Sequence, residues 1–184
     1  MSAAAGKSSG RRRMMRVLRA GLETLDRLTA DVLIAGVASD ERPLRGAAGY
    51  CDWRLNGRLS ASLLAERFSG RPGETLLSDT NRRLGPPRVL LIGLGPRDEL
   101  EEPAVRKAVR RMLVVAKKAR FERLALEPPG CGVLDAERAV AIAIEVARKA
   151  AEGAQLTLLC PDDDCLEALK QQQHRHQALA ITFD

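Results

Sequence analysis

One short apolar segment constrains the fold of this chain more than any other feature. Residues 87–96 read Pro-Arg-Val-Leu-Leu-Ile-Gly-Leu-Gly-Pro, so an apolar run lies between a proline turn and a glycine-rich turn. A run this short and this apolar predicts a strand buried on both faces, in the middle of a sheet with helices on either side. The acidic stretch 98–102 then begins a long helical pattern. The segment therefore predicts the first half of a β-α unit.

Strands and helices alternate through most of the remaining sequence. Apolar runs predict an edge strand at 14–20 and further strands at 31–37, 74–78, 123–126, 155–160 and 178–183. Helical spacing of apolar residues predicts helices at 22–28, 47–68, 101–120, 135–152 and 165–173. This alternation predicts an α/β domain with three α/β/α layers and a mixed, mostly parallel sheet.

The predicted helix at 47–68 has one apolar face. Cys51, Leu55, Leu59 and Leu63 recur along it at four-residue spacing, as expected of an amphipathic helix. Gly57 lies inside the pattern, where a glycine costs about 1 kcal/mol relative to alanine. A glycine in such a place often marks close packing against a neighbour, and we predict such a contact here.

The composition fits one basic domain. The chain has 184 residues and a net charge of +6, and residues 1–13 are small, polar and basic, which predicts a disordered tail before a domain at 14–184. Aromatic residues make up 3%, too few for the stacking platforms of a single-strand binder. Unpaired cysteine spacing, with no secretory or bilayer-spanning run, predicts a cytoplasmic protein with reduced thiols and no membrane partner.

An ordered set of motifs carries a family resemblance. It comprises the strand at 31–37, the helix at 52–60, the segment at 68–77 and the strand at 88–95. The most specific part is the turn Gly70-Arg71-Pro72-Gly73-Glu74 followed by Arg-Val-Leu-Leu-Ile-Gly-Leu-Gly. On these residues the chain, over 14–173, resembles the N-terminal domain of the leucine aminopeptidase, or cytosol aminopeptidase, family.

The resemblance implies a macro-domain-like fold, in which a mixed sheet lies between helices. In that family the domain precedes a catalytic domain with two metal ions and an Asn-Thr-Asp-Ala-Glu-Gly-Arg signature, which this sequence lacks. We therefore expect a non-catalytic binding or assembly module, without cofactor or metal. Its expected partner is a catalytic aminopeptidase, to which it is a partner or regulatory subunit, or a second copy of itself. The alternatives are a macro-type module that binds ADP-ribose or a nucleotide, and a weak, non-specific DNA-binding accessory protein.

Asp31 and the turn containing Gly93 and Gly95 are the candidate ligand-binding residues. Backbone N–H groups at a helix start attract anions, and open α/β sheets bind ligands outside the carboxyl ends of their strands. Macro domains bind ADP-ribose, and the resemblance makes these residues the counterparts of that site. The turn lacks a phosphate-binding fingerprint and precedes acidic residues, so a plain tight turn is the competing interpretation.

The remaining polar clusters favour structural roles. The Asp162-Asp163-Asp164 run stands between a strand and a helix, where N-capping is simpler than metal binding. The set Cys160, Cys165, His174 and His176 lacks the close spacing of zinc sites, such as paired Cys-x-x-Cys. A nucleophilic Cys51 or Cys131 needs a histidine base, and both histidines are far away in the sequence.

The helix at 101–120 carries a basic face. Its candidate nucleic-acid-binding residues are Arg106, Lys107, Arg110 and Arg111. Phosphate contacts need only positive charge within reach, so this face predicts at most weak, sequence-independent and salt-sensitive DNA binding. A solvated helix face is the competing interpretation.

Overall fold

The architecture is that of a sheet between two layers of helices. A computed structural model describes residues 14–150, 153–175 and 180–183 of the chain. The strands are β1 (Met14–Arg19), β2 (Val32–Ala38), β3 (Thr75–Asp79), β4 (Arg88–Gly95), β5 (Arg123–Leu126), β6 (Gln155–Cys160) and β7 (Ala180–Phe183). The helices are α1 (Leu22–Arg27), α2 (Gly46–Arg54), α3 (Arg58–Leu64), α4 (Glu102–Lys118), α5 (Ala136–Ala150) and α6 (Asp163–Arg175), with a 3₁₀ turn at Arg97–Glu99 before α4. The basic tail predicted at 1–13 lies outside the described residues.

The described strands form one sheet in the order β3-β4-β2-β5-β6-β1-β7. β3 is antiparallel to β4, and every other pairing is parallel. The predicted α/β fold with a mixed, mostly parallel sheet is confirmed.

Two strand positions differ from the prediction. β4 is buried along its length, as expected, but it lies one strand from the edge, because β3 pairs with its outer side. β1 was predicted at the edge, yet it lies between β6 and β7. The apolar pattern of a strand reports the burial of its faces, whereas its place in the sheet depends on pairing with distant segments.

Side chains of alternate sheet residues enter two separate cores. Leu90 and Ile92 point towards the layer of α4, α5 and α6, where Met112 is fully buried. Val89 and Leu91 point towards the layer of α1, α2 and α3. The period of two along a strand produces this division, and it explains why β4 has no polar residue between Val89 and Ile92.

The single helix predicted at 47–68 is wrong, because two helices occupy this segment. Gly57 stands between α2 and α3 with a φ of 74°, a left-handed conformation that glycine adopts without strain. An added Cβ at Gly57 would meet nothing within 4 Å, so the predicted close packing is also wrong. The Asp52 carboxylate stabilises the break, since it accepts hydrogen bonds from the backbone N–H of Leu59 (2.8 Å) and Ser60 (3.0 Å).

The other predicted helices form close to their expected bounds. Asp135 accepts a hydrogen bond from the backbone N–H of Arg138 at 3.1 Å and caps α5. Asp162 accepts one from the backbone N–H of Cys165 at 2.8 Å and caps α6, as the acidic run predicted. Among the described helices, none has the length and apolar character needed to cross a bilayer.

Candidate functional site

A cleft lies at the carboxyl ends of the central parallel strands. It holds about 250 Å³, somewhat below the volume of about 300 Å³ at which small-molecule sites usually begin. Its walls come from Gly36 and Ala38 of β2, from Leu94 of β4, and from the Pro-Pro-Gly turn after β5. This edge of the sheet is where open α/β folds bind ligands.

Glu127 is the first residue after β5. Its carboxyl group lies in the cleft, at the N-terminus of helix α2. Its Oε2 accepts a hydrogen bond from the backbone N–H of Ala47. Its Oε1 lies so near the backbone of Gly46 that a Cβ added to this glycine would be 2.2 Å from that oxygen. The carboxylate therefore takes the place that an anionic ligand would take at this helix N-terminus. Burial raises the pKa of Glu127 to about 7 against the lowering effect of the Ala47 hydrogen bond, and the charges of Glu41 and Asp162 raise it further.

Arg97 connects several polar groups around the cleft. Its guanidinium pairs with Glu41 at 2.8 Å and donates to the backbone carbonyl of Gly132 at 3.2 Å. Its own backbone N–H donates to Asp40 at 3.0 Å. Arg97 thus ties the loop after β2 to the loops after β4 and β5. Arg45 is an exposed cation at the rim.

The glycine turn does not present free N–H groups to this cleft. The N–H of Gly93 donates to the carbonyl of Glu74 and that of Gly95 to the carbonyl of Gly70, both at 2.9 Å. An added Cβ on Gly93 would lie 2.0 Å from the carbonyl oxygen of Arg71. These glycines allow the loop at 70–73 to pack directly on β4. This packing role favours the interpretation of the segment as a plain tight turn.

Asp31 lies at the opposite end of the sheet from Gly93 and Gly95. It precedes β2, whereas Gly93 and Gly95 pair with the last two residues of that strand. Asp31 pairs with the Arg123 guanidinium at 2.6 Å and accepts the backbone N–H groups of Glu122 and Arg123. Partial burial raises its pKa, but the bonds from Arg123 and Glu122 outweigh burial and hold that pKa below its usual value. The structure therefore does not bring the predicted ligand residues together.

The Glu74 carboxylate holds the loop that contains the glycine-rich motif at 70–74. Its Oε2 accepts hydrogen bonds from the N–H and Oγ of Ser69, both at 2.8 Å, and from the N–H of Gly70 at 3.1 Å. The backbone hydrogen bond from Ser69 is the main reason why the pKa of Glu74 lies below its usual value, although burial opposes it. The carboxylate fixes the loop that packs on Gly93, so this motif has a structural role.

The predicted basic face divides into two parts. Arg106 pairs with Glu102 at 3.0 Å and with Glu145 at 2.7 Å, so it joins α4 to α5. Lys107, Arg110 and Arg111 are exposed on the other side of α4, beside an apolar groove. The structure thus keeps these three together and removes Arg106 from the face.

The cysteines serve packing in the described region. Cys131 and Cys165 approach to 3.7 Å between their Sγ atoms, and their hydrogen bonding, together with that to Cys160, raises the pKa of Cys165. Burial raises the pKa of Cys51 to about 12, so that thiol is protonated at neutral pH. Among the described residues, no group of three or more His, Cys, Asp or Glu side chains is arranged so that it could hold a metal ion. His176 and the side chain of His174 lie outside the described part.

Sequence reasoning missed the polar residues of the cleft, which are Glu41, Arg97 and Glu127. The turn at 127–130 follows an apolar strand, and residues after parallel strands gather at one sheet edge. That placement is the signal in the sequence that points to Glu127 as a residue of the cleft.

Comparisons of sequence connect the chain to one family. The N-terminal domain of the cytosol aminopeptidase family matches residues 32–159. A probable cytosol aminopeptidase of Alkaliphilus metalliredigens is 32% identical over 137 residues, which cover 74% of this chain and 26% of that protein. Another, from Syntrophotalea carbinolica, is 35% identical over 122 residues, which cover 64% and 24%. The chain spans about a quarter of the length of these curated relatives.

Comparisons of structure show the same kind of fold. A Trypanosoma brucei macrodomain solved in complex with ADP-ribose superposes with a TM-score of 0.68 at 20% identity, covering 87% of this chain and 69% of that one. A mutant of tomato leucine aminopeptidase superposes with a TM-score of 0.59 at 19% identity, covering 92% of this chain and 37% of that one. The predicted macro-domain-like fold is confirmed.

Proposed function

Because this chain belongs to the cytosol aminopeptidase family and matches its N-terminal domain, we propose that it is a non-catalytic binding or assembly module of an aminopeptidase. The observation that carries the proposal is the identity of the matched region, because residues 32–159 correspond to the N-terminal domain of the family. The partner is a catalytic aminopeptidase chain or a second copy of this one. A cytoplasmic location follows from the same family membership and is part of the proposal.

The chemistry of the cleft supports a non-catalytic role. Two-metal hydrolysis needs carboxylates that converge on the ions and remain available to them. In the described cleft each acidic side chain is engaged elsewhere: Glu127 holds the start of α2, Glu41 pairs with Arg97, and Asp162 caps α6. Their structural partners leave this set poorly suited to bind metal ions.

We expect the purified 184-residue chain to release no product from leucine p-nitroanilide, with or without added Mn²⁺ or Zn²⁺. The physical reason is that the cleft carboxylates are engaged by backbone and guanidinium groups. A chelator-treated sample is the control for contaminating metallopeptidases. Turnover that copurifies with the chain and depends on added metal would overturn the non-catalytic proposal.

A second candidate is binding of ADP-ribose or a related nucleotide in the cleft. The position of the cleft favours it, since the carboxyl ends of β2, β4, β5 and β6 surround it. Glu127 opposes it, because an ionised carboxylate at the start of α2 repels a diphosphate. This opposition places nucleotide binding below the assembly module.

We expect titration calorimetry with millimolar ADP-ribose at pH 7.5 to give no saturable heat. The Glu127 carboxyl already accepts the hydrogen bond from the Ala47 N–H at the start of α2, so the diphosphate would have to displace it from that helix start. ADP and ribose 5-phosphate are the controls that separate the two halves of the ligand. Saturable one-site binding of ADP-ribose would favour the second candidate over the first.

A further inference from the structure

An apolar groove runs between helix α4, strand β4 and the loop at 72–73. We call it the α4 groove, and it holds about 650 Å³. Its apolar walls come from Pro72, Ile92, Leu94, Pro103, Ala104, Ala108 and Val114. The side chain of Val114 is 38% exposed, and that of Leu77 on the neighbouring edge strand is 50% exposed. Apolar surface collected in one place, with charge at its border, is typical of an interaction site.

The charges along this groove are segregated by sign. Asp98, Glu99 and Glu101 are exposed at the end where the chain enters α4. Lys107, Arg110 and Arg111 are exposed along the following two turns of the helix. Neither group takes part in a salt bridge within the described part of the chain, whereas the neighbouring Glu102 and Arg106 are paired. Glu99 and the three basic residues line the groove, and Asp98 and Glu101 lie just outside it before α4. The surface around the groove therefore has an acidic end, a small apolar centre and a basic half.

Such an arrangement is complementary to itself under a two-fold rotation. If two copies of α4 cross in opposite directions near Ala104, the acidic end of each copy faces the basic half of the other. Ala104 at the centre has a small side chain, which permits close approach of the two helices. A two-fold interface uses the same patch on both partners, and this patch meets that requirement in its arrangement of charge.

We propose that the α4 groove is the interface through which this chain associates with a second copy of itself. The proposal rests on the proposed assembly function and specifies its partner and its surface. A duplex of nucleic acid fits the groove less well, because the acidic end repels phosphates and the apolar centre has no counterpart on a phosphate backbone. Three of the four basic residues that the sequence suggested for DNA contact, namely Lys107, Arg110 and Arg111, thus serve a protein interface.

Sedimentation velocity of the full chain tests the proposal. Over about 1 to 100 µM in low salt we expect the parent to change from monomer to dimer, a range suited to a modest interface. The variant Lys107→Glu/Arg111→Glu should weaken the dimer at least tenfold, since it places like charges against the acidic end. The control Lys117→Glu/Lys118→Glu changes the same net charge on the same helix but lies beyond the groove, and it should stay within about twofold of the parent.

A charge exchange sharpens the test. Adding Asp98→Lys and Glu99→Lys to Lys107→Glu/Arg111→Glu reverses both ends of the groove in one chain, and the dimer should return to within about threefold of the parent. Urea unfolding of each variant keeps a folding defect distinguishable from a lost interface. Failure of the exchange to restore association in folded protein would overturn the proposed geometry.

The remaining outcomes are also decisive. A parent that stays monomeric over the whole range would overturn self-association, and equal loss in the control variant would overturn the choice of surface. Salt-sensitive binding of a random DNA duplex that Lys107→Glu/Arg111→Glu abolishes, in a monomeric parent, would assign the face to DNA instead. Metal-dependent turnover would contradict the non-catalytic function without affecting the dimer, so the two failures are distinguishable.

Discussion

Replacement of Gly93 by alanine should destabilise this domain by about 3 to 5 kcal/mol, a large part of the free energy of unfolding of an ordinary domain. The new Cβ would lie 2.0 Å from the carbonyl oxygen of Arg71 and 2.8 Å from that of Gly70. Both obstructing atoms belong to the backbone, which cannot rotate away as a side chain can. Either β4 must shift from its neighbours or the loop must leave the sheet.

The loop at 70–73 has little freedom to retreat. Gly73 donates its N–H to the carbonyl of Gly93 at 3.0 Å, and Gly95 donates to the carbonyl of Gly70 at 2.9 Å. The Glu74 carboxylate holds the same loop from the other side. A displacement of the loop therefore loses several hydrogen bonds in addition to the close packing, which is why we expect a large effect.

Urea unfolding monitored by circular dichroism measures the effect, and Gly21→Ala is the control. Gly21 has an extended backbone with a φ of 179°, and an added Cβ there meets nothing within 4 Å. We expect this control to cost less than about 1 kcal/mol, the scale of a helix N-cap preference. A Gly93→Ala variant as stable as Gly21→Ala would contradict the packing described for the loop.

Replacement of Glu127 by glutamine should make the domain more stable at pH 8 and leave it nearly unchanged at pH 5. The pKa of this carboxyl rises from its usual 4.5 to about 7 in the folded chain, mainly through burial. Between these two values the folded chain holds a proton that the unfolded chain releases, so the free energy of unfolding falls as the pH rises. At about 1.4 kcal/mol for each pH unit of that window, the loss reaches about 3 kcal/mol.

Glutamine retains an oxygen that accepts the hydrogen bond from the Ala47 N–H but does not ionise. The variant should therefore lack this fall in stability, with a gain over the parent of about 1 to 3 kcal/mol at pH 8. Urea unfolding at pH 5, 6, 7 and 8 follows the divergence of the two curves. The matched control is Glu122→Gln, a change at an exposed residue, and its curve should run parallel to that of the parent. Parallel curves for Glu127→Gln and the parent would show that Glu127 is not the titrating group.

The Glu127 contact also bears on how one fold takes up different functions. A cleft at the carboxyl edge of a parallel sheet, with a helix N-terminus opening into it, suits an anionic ligand. Here an internal carboxylate from the end of β5 fills that position, and Arg97 joins the surrounding loops. The side chains at the carboxyl ends of the parallel strands, where open α/β folds bind ligands, thus make internal contacts here. This agrees with the assembly role that we propose for another surface.

Local patterns in the sequence were sufficient for the fold class and for most of the elements, although not for the division of one predicted helix into α2 and α3. The apolar run at 89–92 predicted a strand buried on both faces, and the helical pattern at 101–120 predicted α4. The acidic residues Asp135 and Asp162 predicted the helix starts that they cap. These features depend on residues within a few positions of one another, so periodicity and capping preferences express them directly.

Contacts between distant segments were decided by the tertiary structure alone. The break at Gly57 depends on the Asp52 carboxylate reaching a second helix, and the separation of Asp31 from Gly93 depends on strand direction. Glu127 meets the start of α2 across 80 residues of sequence. Such contacts form only when sheet pairing brings segments together, and no local pattern encodes which partner a side chain will meet. The sequence by itself therefore determined the layers and their family likeness, while the packing of the loops decided that Glu127 occupies the helix start in the cleft and that the α4 groove is open.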